Sequence, residues 1–281
     1  MDAISLIYNE NQKVDSMKTR PAPLAGQWYP KEPYHYEQFL EGAFRKCRGR
    51  GIARGIIVPH AGYLYSGEVA ACAYAQFDPG FSGTFITIGP RHHVPLMTTT
   101  TPLPWETPFG LVECDRELVT AFHLPINEFA DAEYQENSLE MQMPFIKYRF
   151  PRARIAPVLM GDQSLDSAHR LADVILAAVR ETGRDVRIVA SSDLSHFHSD
   201  KVARQKDRQA IEAILKLDLQ ELYTRIGNGT AEACGLGPIA TMCLVCQALG
   251  AGTTEEISYA TSGEVTKDTR SVVGYAAIAV I

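Results

Sequence analysis

Three apolar runs in this chain each finish at a histidine: Gly55 to His60, Phe85 to the pair His92 and His93, and Ile188 to His196. Imidazoles move protons near neutral pH and hold transition metals. A single histidine after such a run is most simply a hydrogen-bonded loop residue, but three recurrences suggest one shared crevice. The third run adds a carboxylate, Asp193, three residues before His196. It can fix an imidazole tautomer, or it can cap the following helix. Farther along, Cys234 stands among Gly235, Gly237 and Pro238 just ahead of a helical stretch. N–H groups at a helix start favour a thiolate, the form that binds metal or attacks carbon; the alternative is a small buried residue in a turn.

Other candidates carry weaker signals. Glu140 lies in a helical pattern with Leu139 and Met143 four apart, so its carboxylate faces either the crevice or the scaffold. His92 and His93 share a tight turn and should point apart, one toward the site. Trp28 and Tyr29 suit a core or a pocket wall. His198 reads as surface. Cys243 and Cys246 form a CxxC, but their flanks Met242, Leu244, Val245 and Leu249 are those of a buried helix, and no second CxxC exists.

The elements that position these groups read as an alternating α/β chain. Short β-branched runs bounded by Gly, Pro or Ser predict buried strands, which places His60, His92 and His196 just past strand carboxyl ends, the edge where open α/β sheets bind ligands. Between the first two strands, small and apolar residues from Gly67 to Phe77 predict a tightly packed helix, giving a βαβ unit. A strand from Arg154 to Leu159, an amphipathic stretch from Ala168 to Val179 and a strand from Val186 to Ala190 predict a second. Helical spacing returns in Lys201–Leu215, Leu219–Ile226 and Ile239–Leu249, and a closing hairpin is predicted from Ile257–Ala260 and Val272–Ile281. The Pro-rich stretch Pro95 to Pro108 reads as a surface loop that forms a pocket wall. Residues 1–20 are polar and aperiodic, with Met17 a second candidate start, so they read as a flexible arm before a single domain spanning 21–281.

Composition narrows the partners. A formal net charge of −6 without a basic run argues against nucleic acid as the primary ligand. No apolar run approaches the roughly 20 residues needed to span a bilayer, and the start lacks a basic-then-apolar signal pattern, so a cytoplasmic location without a membrane partner is the expectation. Six scattered cysteines do not read as a disulfide framework in 281 residues, and reduced thiols are expected.

Taken together, several blocks resemble the Memo family. They are Ala25 to Tyr29, Pro59 to Gly67, Gly89 to Leu96, Ser138-Leu139-Glu140, Ser191 to Phe197, Cys234-Gly235 with Gly237-Pro238, and Ser271 to Ala276. They run in order from about residue 21 to the C-terminus, and their combination is specific where each alone is weak. The resemblance implies a three-layer α/β/α sandwich with a mostly parallel central sheet, similar to class III extradiol dioxygenases of the LigB type. It also implies a metal site at His60, His92 and Cys234, with Asp193 and His196 lining the same pocket. The dioxygenases hold iron with two histidines and a carboxylate, so a thiolate here moves preference toward copper(I), zinc or thiolate-tolerant iron. Prokaryotic relatives are associated with AMMECR-type and radical-SAM proteins, and copper redox chemistry is attributed to animal ones. Where relatives commonly carry a histidine before Ser-Leu-Glu, this chain has Asn137, which cannot titrate near neutrality.

Three functional readings follow. The first is a copper- or iron-dependent oxidoreductase, zinc being a further option, with His60, His92 and Cys234 as ligands and Asp193, His196 and Glu140 as acid, base or supporting groups. The second binds an unknown small molecule, peptide or partner in the same pocket, with Trp28, Tyr65 and His93 as walls. The third uses Cys234 as a metal-free nucleophile with His196 and Asp193, giving a hydrolase or acyl transferase.

Overall fold

Parallel strands buried on both faces need continuous apolar sequence, and the strand runs of this chain supply it. The computed structural model describes residues 18–92, 97–127 and 135–281. In chain order its elements are α1 (Pro33–Arg45), β1 (Gly55–Val58), α2 (Tyr63–Tyr74), β2 (Thr84–Pro90), β3 (Thr99–Thr100), α3 (Arg116–Ala121), α4 (Asn137–Glu140) and α5 (Met143–Arg149). There follow β4 (Arg154–Met160), α6 (Leu165–Thr182), β5 (Val186–Ser191), β6 (His196–His198), α7 (Asp200–Leu215), α8 (Leu219–Gly227), α9 (Leu236–Ala248), β7 (Thr254–Thr261), α10 (Gly263–Thr266) and β8 (Val272–Val280).

The strands form one sheet in the order β3-β4-β2-β5-β1-β8-β6, with β7 also on β8. Its centre, β4-β2-β5-β1, is parallel, and the flanking strands pair antiparallel. Side chains alternate between two apolar layers with the two-residue period of a strand: Ile57, Ile86, Ile88, Ile188 and Ile278 face one, while Ile56, Phe85, Val189 and Ala277 face the other. Helices cover both faces, with α3, α6 and α9 contributing to the first layer and α1, α2 and α5 to the second, so the architecture is a three-layer α/β/α sandwich.

Both predicted βαβ segments are present, but they interleave. β5 lies between β1 and β2, and β2 lies between β4 and β5. The carboxyl ends of β1, β2 and β5 consequently meet side by side at one edge. The predicted helix from Ala168 to Val179 extends at both ends: the Ser164 hydroxyl caps its start by accepting from the Ser167 N–H, and Gly183 ends it with φ 64°. The closing hairpin is also present, as β7 and β8.

The sequence reading needs two corrections here. The Pro-rich stretch is not a pocket wall among its described residues: Thr99–Thr100 adds a short edge strand to β4, and Trp105 is buried beneath the Arg20 guanidinium. Nor are all six thiols reduced, because Cys47 and Cys72 form a disulfide. Gly67 lets the Phe39 ring lie against α2, where a Cβ would fall 2.7 Å from the ring. This close approach of α1 to α2 brings the two Cα atoms within 4.9 Å across a sequence separation of 25. No helix among the described residues is long and apolar enough to cross a membrane.

Closing a loop of this length restricts the unfolded chain by about 3–4 kcal/mol on the chain-entropy account. Non-reducing peptide mapping should recover Cys47 joined to Cys72, and reduction or Cys72→Ser should lower unfolding stability by about that amount. An unchanged denaturant midpoint after reduction would remove the disulfide from the list of stabilising features.

Candidate metal centre

The interleaved strands deliver three groups to the carboxyl edge: His60 two residues past β1, His92 two residues past β2, and the segment from Ser192 to His196 after β5. Cys234 arrives from the turn before α9. Gly235 makes that approach possible, since a Cβ there would lie 2.3 Å from the Ser191 carbonyl oxygen. Ligand atoms of His60, His92 and Cys234 all lie within 4.8 Å of one another, and among the described residues this group can hold a metal ion. Cys234 Sγ stands 3.3 Å from His60 Nε2, and the two imidazole centroids are 5.2 Å apart.

Hydrogen bonding fixes which nitrogen of each ring can take a ligand. Ser191 Oγ donates its only proton to the Ser138 carbonyl oxygen at 2.6 Å and accepts from Gln142 Nε2 at 3.0 Å. A hydroxyl has one proton, so His60 Nδ1, 2.8 Å away, must be the donor in that pair. Nε2 of His60 therefore carries the lone pair, on the side of Cys234. Glu136 imposes the same tautomer on His92: its Oε1 accepts from His92 Nδ1 at 2.8 Å and from the Ser138 N–H at 3.0 Å, while Oε2 accepts from the His92 backbone N–H at 2.7 Å. Metal-binding histidines characteristically spend their second nitrogen in this way.

The electrostatics oppose charge on His60 and Cys234 but favour it on His92. Burial lowers the His60 pKa despite the nearby Asp193 carboxylate. For His92 burial also acts downward, but the hydrogen bond and charge of Glu136 outweigh it and raise the pKa. Burial alone would raise Glu136; hydrogen bonds and charge from His92 with backbone N–H groups hold it at about 2. Of the two readings of Cys234, a thiolate or a small residue in a turn, the surroundings of the thiol disfavour an anion without a cation beside it. Burial, followed by the charge of Asp193, pushes this thiol well above its usual range, against the Asp193 N–H and the Ser192 hydroxyl that would stabilise an anion. Without a cation its proton stays, within reach of the His60 Nε2 lone pair.

Asp193 does not act as the orienting partner of His196. Its Oδ1 accepts from the His60 backbone N–H at 2.9 Å, its own N–H donates to Cys234 Sγ at 3.2 Å, and its carbonyl accepts from the Cys234 N–H at 3.2 Å. Among the described residues no hydrogen bond joins Asp193 to the imidazole three positions later. His196 opens β6 and lines a cavity of about 480 Å³ together with His60, His92, Asp193, Asn137 and Trp28. Its loop is clamped by paired backbone bonds between Leu194, Ser195 and Gly274, and by the buried Asp207 carboxylate, which accepts from the Ser195 N–H at 2.9 Å. Asn137 also serves structure here, its side chain donating to the His60 carbonyl at 3.1 Å.

Two other candidates leave the site. Glu140 is fully buried away from the cavity, where it forms an ion pair with Arg20 and accepts from the Leu24 N–H and the Tyr29 hydroxyl, each at 2.9 Å. Helical periodicity could not distinguish that face from the crevice. Tyr65 lines an adjoining groove shared with Trp28, not the metal cavity. His93 lies outside the described residues. His198 pairs with Glu232 at 2.8 Å outside the cavity lining, and Cys243 and Cys246 are buried in α9. Sequence reasoning missed Glu136, Ser191 and Gln142. The available signal was Glu136 next to the Asn137-Ser138-Leu139-Glu140 block, which nothing in the local pattern connected to His92.

Comparison with known proteins identifies relatives along almost the whole chain. The family model described as Memo-like protein matches residues 20–279. A MEMO1 family protein of Methanosarcina barkeri is 38% identical over 268 residues, covering 93% of this chain and 99% of the relative. One from Methanothermobacter thermautotrophicus is 38% identical over 278 residues, covering 92% and 99%. Another from Methanococcoides burtonii is 41% identical over 271 residues, covering 93% and 99%.

The buried Arg20–Glu140 pair ties the segment bearing Trp28 to α4. Removing one partner of such a pair leaves the other facing an apolar interior, so Glu140→Ala should lower stability by about 3–5 kcal/mol in denaturant unfolding. Near-native stability combined with a selective loss of activity would instead return Glu140 to the site.

Proposed function

The chain belongs to the Memo family, and from that premise we propose that His60, His92 and Cys234 hold a transition-metal ion in an oxidoreductase. The observation that carries this reading is the double tautomer assignment: both imidazoles spend Nδ1 on scaffold acceptors, His60 Nε2 faces the Cys234 thiol, and the ligand atoms of all three residues lie within 4.8 Å of one another. Two neutral imidazoles and a thiol that needs a cation to ionise suit a borderline or soft ion, so copper or iron is favoured and zinc fits the same donors. When bound, such an ion supplies either one-electron chemistry or Lewis-acid polarisation of a coordinated oxygen. The chain itself supplies the rest. Asp193 and Glu136 fix the ligands, His196 offers the imidazole that takes or gives a proton in the cavity, and Asn137 contributes an amide that orients without titrating.

A metal-free cysteine hydrolase is disfavoured, because the surroundings of the Cys234 thiol raise its pKa and the Asp193 carboxylate accepts the His60 N–H and, among the described residues, makes no hydrogen bond to His196. Binding of a small molecule or peptide remains a second reading, favoured by the half-exposed Trp28 and Tyr65 beside the cavity. AMMECR-type and radical-SAM proteins are proposed partners on the family relationship alone.

Protein purified without added metal should carry close to one copper or iron per chain by element-resolved analysis. In competition with a chelator, Glu136→Gln should weaken retention by roughly 10–100-fold, the usual effect of losing a histidine's supporting carboxylate. Cys234→Ser should weaken it further, while Cys243→Ser should leave it unchanged. Equal retention by the two serine variants would remove Cys234 from the ligand set and overturn the reading.

A further inference from the structure

The metal cavity continues into a second cavity of about 610 Å³, and the two share Gln27, Trp28, Ala61 and Val273 as walls. Their linings differ in kind. The first offers amides, imidazoles and a carboxylate; the second adds Leu64, Tyr65, Phe197 and Tyr275. Phe197 is the least expected of these. β6 pairs to β8 through His196 opposite Val273 and His198 opposite Val272, with an irregularity between them, so Phe197 is the residue pushed out of register. It takes φ 62°, a left-handed backbone conformation uncommon for a bulky side chain, and the residue is 77% exposed. Holding an aromatic ring in water at a strained residue is unfavourable for folding, and such residues concentrate at ligand sites.

The charge around the cavities restricts the head of a ligand. Among the described residues lining either cavity there is no lysine or arginine. At the rim, Arg270 is engaged by Asp268 and Lys267 by the Glu264 carbonyl. The acidic groups at this end are Asp193 in the lining and Glu136 behind His92, which disfavour an anionic head. Among the described lining residues a phosphorylated or carboxylate head would meet no lysine or arginine.

We infer that the two cavities form one elongated site for a small molecule with an uncharged or cationic polar head at the metal cavity and an apolar, ring-bearing tail across Trp28 onto Phe197 and Tyr65. The combined space suits a ligand of ordinary small-molecule size. The head assignment rests on the metal-centre reading, whereas the tail assignment stands on the groove itself.

Calorimetry with three probes sharing one tail tests both ends: 2-naphthylmethanol, its trimethylammonium analogue and 2-naphthylmethyl phosphate. The alcohol and the ammonium should bind, with the phosphate at least about tenfold weaker because of repulsion at the head end. Phe197→Gly removes the ring and suits the positive φ, so folding is preserved; it should weaken the first two probes about three- to tenfold and leave metal content unchanged. Each titration is repeated on chelator-treated protein. Binding that survives metal removal and still depends on Phe197 upholds the tail site even where the metal reading fails. Phosphate binding as tight as that of the alcohol would overturn the head assignment, and Phe197→Gly without effect would overturn the tail.

Discussion

Asp193 joins two of the three candidate ligands through every polar group of one residue. Its carboxylate accepts the His60 N–H, its own N–H reaches Cys234 Sγ, and its carbonyl accepts the Cys234 N–H. The end of β1, the loop after β5 and the turn before α9 are thereby held to one another at a single point. Because Asp193 is only 4% exposed, water competes weakly for these bonds, and each missing partner would leave a buried polar group unsatisfied. Ligand spacing is accordingly a property of backbone positions more than of side-chain rotamers, which is what pre-organisation of a metal site requires.

Around this point the polar network removes choice. The Ser191 hydroxyl gives its one proton to Ser138, which makes it an acceptor for His60; the Glu136 carboxylate is an acceptor for His92. Both rings present the same nitrogen inward. Burial meanwhile keeps the thiol protonated until a cation replaces the proton. The thiol is hydrogen-bonded to an imidazole, and on the proposed metal reading a bound ion would replace its proton and relieve the cost of desolvating an anion.

Support for the cavity wall comes from a separate buried interaction. Arg20 and Glu140 hold residues 20–29 against α4, the Trp28 backbone carbonyl accepts the Tyr63 N–H at the entrance to α2, and Trp28 lines both the first cavity and the aromatic groove. The disulfide acts on the same helix: Cys72 lies in α2, nine residues after the Tyr63 that meets Trp28. Stability contributions from the ion pair and the disulfide therefore converge on the helix that follows His60.

The sequence by itself determined the element types of the two βαβ segments, the later long helices and the closing hairpin, because burial on both faces demands apolar β-branched strands and amphipathic helices leave a 3.6-residue pattern. It also determined that three histidines follow strand ends, and the ordered motif blocks identified the family. Tertiary structure alone decided the rest. Interleaving of the two βαβ segments, which brings β1, β2 and β5 together, leaves no trace in local periodicity. Glu136 and Glu140 are four residues apart on one short segment, yet one orients His92 and the other neutralises Arg20, since burial partners come from distant chain. Asp193 and His196 are close in sequence but unbonded, whereas Cys47 and Cys72, 25 apart, are covalently joined. Sequence spacing sets reach along the chain; packing sets the direction in which each side chain spends it.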